Sequence, residues 1–187
     1  DIVNRYLAPV DVDPPVTFKI IQGTDVPNER FYFSVRALDG APLPNDAGGV
    51  NPYRVHVDGV GSKARIEFGV ITFTKPGTYV YELSEENLGL TGWVFDPTIY
   101  VRTVTVTETL DEAGEPTGVL TWTQQVTKTG DARPTEGELE FTNTYKKPEP
   151  ENPDQPKPEK RTIRGEKTWK HGTNAASNRP TSIVVKL

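Results

Sequence analysis

Cysteine and methionine are absent from the 187 residues, and histidine occurs only at His56 and His171. A chain without cysteine has no disulfide, no thiolate nucleophile, no zinc-thiolate site and no thioester. Two histidines so far apart leave no imidazole cluster for a metal and no His-dependent nucleophilic triad, which points away from an ordinary hydrolase. No apolar run approaches the length of a membrane span, and no N-terminal stretch reads as a signal peptide, so no membrane insertion is expected of this piece. With 21 basic against 26 acidic residues and a net charge of -5, there is no broad basic field for nucleic acid. No metal and no cofactor are implied. The chain begins at Asp1 and ends inside the apolar run from Ser182 to Leu187, and is read as an excised or processed piece of something longer.

What is present is period-2 alternation, with almost no helical periodicity. Val16 to Ile21, Phe31 to Leu38, Ala64 to Phe68 and Val70 to Phe73 read as strands. So do Thr78 to Ser84, Thr98 to Thr109, Gly118 to Val126 and Glu138 to Tyr145. Turn residues such as Asp39-Gly40, Val60-Gly61 and Lys75-Pro76-Gly77 punctuate them. Strands in this number without helical crossovers predict an all-β fold, an antiparallel β-sandwich of Ig-like or jelly-roll-like type. Glu85 to Leu90 has room for one helical turn and no more.

Composition changes abruptly after Tyr145. From 148 to 161 proline recurs at nearly every second or third position among charges, the signature of an extended spacer. Beyond it, Thr162 to Trp169 and Ser182 to Leu187 read as strands around a polar loop, too little to bury a core alone. The expected organisation is therefore a remnant of a preceding module with its linker at 1-12, a sandwich at 13-147, a Pro-rich linker at 148-161 and a truncated domain at 162-187.

Strand parity decides which residues share a face. Tyr79, Tyr81, Leu83 and Glu85 lie on one side, with Glu82 on the other. Leu139, Phe141, Asn143 and Tyr145 form a second row, and Thr17, Lys19 and Ile21 a third. A lysine, a carboxyl and a carboxamide turned inward are each costly to bury singly, but together they form a reactive set. Burial lowers the lysine pKa and raises that of the acid. A neutral amine can then attack the asparagine carboxamide while the acid polarises its oxygen and passes protons to the departing ammonia. The product is an amide cross-link between side chains. Parity alone leaves the bland alternatives standing: a snorkelling Lys19, an Asn143 bonded to backbone and a solvated Glu85 at a strand end.

An ordered set of motifs resembles the FctA-like streptococcal pilin isopeptide domain of Gram-positive surface proteins. It runs from Lys19-Ile20-Ile21-Gln22-Gly23 through Phe31-Tyr32-Phe33 and the stretch Gly77 to Glu85, then Phe95 to Tyr100, to Phe141-Thr142-Asn143-Thr144-Tyr145, over about residues 13 to 147. The resemblance implies an isopeptide bond from Lys19 to Asn143, assisted autocatalytically by Glu85, with Glu82 the second choice of acid. Ile163 to Trp169, followed by Asn178 to Leu187, looks like the opening of a Cna B-type domain, in which Lys167 falls on the bond-forming lysine. The partners expected for Lys167 would lie beyond Leu187. Ile2 to Tyr6 repeats the Asn-x-Tyr spacing of Asn143 and Tyr145, as the last strand of a preceding module would.

The implied role is a structural stalk module of a cell-wall-anchored pilin or adhesin, extracellular, with neighbouring domains of the same protein as partners. The alternative is an adhesin head that meets a host protein or glycan through the loops Ala41 to Pro52 or Leu88 to Gly92. An enzyme ranks last, since amide formation here would be one intramolecular event without turnover. Asp11, Asp13, Asp25, Asn28, Glu29, Asn45 and Asp46 offer oxygen ligands but lack calcium-loop spacing and read as solvated loops. Trp93 and Trp122 read as core or sheet-surface residues.

Overall fold

Strand formation follows the β-branched and aromatic runs. In the structure, a computed structural model that describes residues 6-59 and 61-149, the elements are all strands apart from one 3-10 turn at Asn45–Ala47. In chain order they are β1 (Val10–Val12), β2 (Thr17–Gln22), β3 (Arg30–Ala37), β4 (Tyr53–Asp58), β5 (Lys63–Ile66) and β6 (Ile71–Phe73). There follow β7 (Gly77–Glu85), β8 (Trp93–Val94), β9 (Ile99–Leu110), β10 (Pro116–Lys128) and β11 (Leu139–Tyr145). Lys167 and the 148-161 linker beyond Glu149, like Ile2 to Arg5, lie outside the described residues.

One sheet has the order β10-β9-β7-β3-β4, a second the order β5-β2-β11-β8, and β1 pairs with β6 apart from both. The two larger sheets face each other through aromatic rings. Phe33 on β3 lies 5.4 Å from Phe141 on β11, Tyr100 on β9 lies 5.3 Å from the same ring, and Phe31 on β3 meets Trp93 on β8 edge-on at 5.1 Å. Offset and edge-on pairs of this kind add to the area they bury. Alternate residues of each strand supply the core: Phe31, Phe33, Val35 and Ala37 from β3, Tyr81 and Leu83 from β7, Val104 and Val106 from β9. Trp93 is in this core, whereas Trp122 is partly exposed on the edge strand β10.

Four features depart from the sequence expectation. Among the strands of the described residues every pairing is antiparallel except one: β2 and β11 run parallel, Lys19 opposite Phe141 and Asn143 opposite Ile21. A parallel pair needs a long crossover, and here the whole intervening chain supplies it. Tyr53–Asp58, in which the alternation is clear but bounded closely by turn residues, forms the edge strand β4. Residues 86-90 contain no helical turn. Leu88 and Leu90 pack against the core there, and the Asn87 side chain accepts from the Gly89 N–H, which holds the segment in a turn instead. Val10–Val12, assigned from sequence to the stretch before the sandwich, is paired with β6, and Val12 is fully buried.

Gly23 closes β2 with a φ of 134°, and a Cβ there would collide with the Tyr145 carbonyl of β11. Gly40 also has a positive φ, 74°, but open space around it. Alanine at Gly40 should cost about 1 to 2 kcal/mol of backbone strain. Gly23→Ala adds a backbone collision to the strain and should lower the melting temperature further than Gly40→Ala in scanning calorimetry; equal losses would show that the β2–β11 approach is not tight.

Candidate functional site

The parallel register places Lys19 and Asn143 on neighbouring strands, two positions apart along the ladder and both on the inward face. Both side chains are fully excluded from solvent, as is Thr17. Glu85 arrives from the facing sheet, at the end of β7 opposite Phe33. Its Oε1 accepts from Asn143 Nδ2 at 2.6 Å. The Asn143 Oδ1 accepts from the Asp96 main-chain N–H at 2.9 Å. Because a main-chain N–H can only donate, this contact fixes the orientation of the amide: oxygen toward Asp96, nitrogen toward Glu85. Lys19 Nζ donates to the Gly59 carbonyl at 3.2 Å and stands 4.8 Å from the Phe31 ring centre.

Burial sets the protonation states. It lowers the Lys19 pKa, with the nearby Glu85 charge opposing in part. It raises the Glu85 carboxyl to about 7; the Asn143 hydrogen bond and Lys19 pull it down, while the Asp96 charge pushes it up. Among the described residues Glu85 Oε2 is a buried side-chain oxygen with no hydrogen-bond partner. A buried carboxylate oxygen left alone is expensive, and a proton on the carboxyl relieves that cost. A neutral amine, a protonated acid and an oriented carboxamide are thus favoured together in one dry place.

Glu82 is on the opposite face of β7, paired at the surface with Arg36 at 3.2 Å. It is not brought to Lys19 or Asn143. Of the carboxylates and amides considered as calcium ligands, Asp11 accepts from the Thr72 hydroxyl, Asn45 donates to that same hydroxyl, and Asp25 pairs with Lys147. Among the described residues no group of three His, Asp or Glu side chains converges to hold a metal. In the loops considered for ligand contact, Ala41, Leu43, Ala47, Leu88 and Leu90 pack into or against the core, while Val50 is exposed.

Two participants escaped sequence reasoning. Asp96 was visible only within the Phe95 to Tyr100 motif of the resemblance, and nothing marked its N–H as the partner of Asn143. Arg102 is the other: it occupies an inward position of β9 at 1% exposure. It donates to Gln124 Oε1 and to the Asp13 carbonyl, each at 2.8 Å, and burial lowers its pKa to about 10. The alternation of β9 put Arg102 in a row with Tyr100 and Val104, and that row was the available signal.

The fold and this buried constellation define a class, a β-sandwich module that keeps a lysine, a carboxyl and an asparagine together between its sheets. Residues 16-146 match the family described as FctA, Spy0128-like isopeptide containing domain, and the chain belongs to that family. Among solved structures it is similar to the major pilin T-13 of Streptococcus pyogenes, at 19% identity over 73% of this chain and 54% of that one, with a TM-score of 0.46. It is likewise similar to another Streptococcus pyogenes major pilin, at 22% identity over 75% of this chain and 51% of that one, with a TM-score of 0.44. The chain spans about half the length of these pilins. No curated protein matches it.

The raised Glu85 pKa has a consequence for stability. The folded state holds a proton between the ordinary carboxyl value of 4.5 and about 7 that the unfolded chain releases. The associated stability is present in full below 4.5 and is lost as pH rises through 7. Lys19→Ala removes the amine whose protonated form depresses this pKa and keeps the acid. Urea midpoints of Lys19→Ala should therefore fall from pH 4.5 to 7 relative to those of Lys19→Ala/Glu85→Gln; parallel pH curves would refute the raised pKa.

Proposed function

We propose that the domain is a structural stalk module of a Gram-positive, cell-wall-anchored pilin or adhesin, held by an autocatalytic isopeptide bond between Lys19 and Asn143. The observation that carries this reading is the Asn143 amide nitrogen seated 2.6 Å from Glu85 beside a fully buried Lys19. The neutral Lys19 amine attacks Asn143 Cγ. A bond forms from Nζ to Cγ, the bond from Cγ to Nδ2 breaks, and ammonia leaves. Glu85 faces the departing nitrogen, gives it a proton and recovers one from the lysine nitrogen, so protons balance. The event occurs once per molecule without turnover, which is a self-modification and not an enzyme activity.

Family membership supports the pilin reading, and topology supports its mechanical sense. Lys19 lies in the first strand of the four-stranded sheet and Asn143 in the last strand of the domain, so the bond spans nearly the whole sandwich. Its loop of about 125 residues would restrict the unfolded chain by about 5 kcal/mol on the loop-entropy account used for disulfides. Neighbouring domains of the same extracellular protein are the natural partners of such a stalk.

Intact-mass spectrometry of the wild-type chain should show the loss of one ammonia. Lys19→Ala, Asn143→Ala and Glu85→Ala should keep their full masses, while Glu82→Ala should still cross-link. A wild-type chain of full sequence mass would end this reading. Lys19→Ala should also melt at lower temperature and be cut faster by protease; unchanged resistance would remove the protective role.

A further inference from the structure

The Asn143 carboxamide has two hydrogen-bond partners, and only one is the acid. Its oxygen, on which negative charge develops when an amine adds to the carbon, faces the main-chain N–H of Asp96. That N–H is itself held in place. Asp96 Oδ1 accepts from the Thr98 N–H at 2.9 Å, and Asp96 Oδ2 accepts from the Thr142 N–H at 2.6 Å. Thr142 directly precedes Asn143, so the carboxylate ties the turn between β8 and β9 to the strand residue next to the reacting amide. Pro97 follows, which confines Asp96 to extended backbone. The same N–H also reaches the Glu85 carboxyl. Glu85, which faces the amide nitrogen, is not placed to hold the oxygen as well.

We propose that Asp96 completes the reaction centre: its main-chain N–H is the oxyanion donor for the Asn143 carbonyl, and its carboxylate is the positioning group that aims that N–H. The inference rests on the cross-linking reading above and divides its labour, with Asp96 stabilising the oxygen and Glu85 serving the nitrogen. A fixed donor aimed at developing charge needs no reorganisation during the reaction, which is why such donors matter most in dry sites.

The test follows ammonia loss in full-length chain made by cell-free translation, quenched at intervals and weighed by mass spectrometry. Three changes at this position are compared: Asp96→Ala, Asp96→Asn, and replacement of Asp96 by its α-hydroxy acid, which deletes the N–H and keeps the carboxylate. The ester chain should react more slowly by a factor on the order of 100, as for loss of one oxyanion donor. Asp96→Ala should also be slowed, and Asp96→Asn, which keeps one acceptor oxygen, should fall between it and wild type. Val12→Ala is the control for lost stability, since Val12 is fully buried in β1. It should destabilise the chain, measured in a Lys19→Ala background, yet react at the wild-type rate. Wild-type rates in the ester and alanine chains, or an equal slowing in Val12→Ala, would overturn the role of Asp96. A wild-type chain that never loses ammonia would overturn the cross-link itself, which is a different result.

Discussion

The parallel pairing of β2 with β11 is the constraint on which the site depends. Two adjacent parallel strands point equivalent residues in the same direction, so the row of Thr17, Lys19 and Ile21 and the row of Leu139, Phe141 and Asn143 enter the core side by side. An antiparallel partner would oppose residues in a different sequence, and a register slip of one would send Lys19 or Asn143 to the surface. Gly23 and the close approach of Tyr145 belong to the same constraint, since the two strand ends touch backbone to backbone.

Placing a lysine there is unfavourable by itself, and the surroundings show how the fold tolerates it. Arg102 is equally buried but has an amide oxygen, a backbone carbonyl and the Tyr81 ring around it. It reads as a satisfied structural cation that anchors the chain before β2. Lys19 has one carbonyl and the Phe31 ring, with the Glu85 carboxyl nearby. Two buried basic side chains in one core thus have opposite characters: Arg102 stays a charged, hydrogen-bonded structural group, while burial favours Lys19 as a neutral amine that can act as a nucleophile.

The facing sheet contributes the acid through the same alternation. Glu85 ends the row of Tyr81 and Leu83 at the rim of the core, where burial raises its pKa but Asn143 still satisfies one of its oxygens. Glu82, three residues earlier, has the opposite parity and forms an ordinary surface ion pair with Arg36. Such exposed pairs contribute little, so the difference between these two glutamates comes from which side of the strand each occupies.

Much of this was legible in the sequence, for a physical reason. Side chains in a strand alternate with period 2, so the inward positions of Lys19, Glu85 and Asn143 follow from their apolar neighbours once the strands are recognised. Alternation is a local property, and the sequence by itself determined it. It could not say that β2 and β11 are neighbours, that they run parallel, or that Tyr53–Asp58 adds an edge strand, because pairing joins residues far apart in the chain. Nor could it reveal the Asp96 N–H on Asn143 or the Gly59 carbonyl on Lys19. Main-chain groups are the same in every residue and leave no trace in the sequence of what they face; only the tertiary structure, by bringing the β8–β9 turn and the loop after β4 over the same pair of strands, decided that.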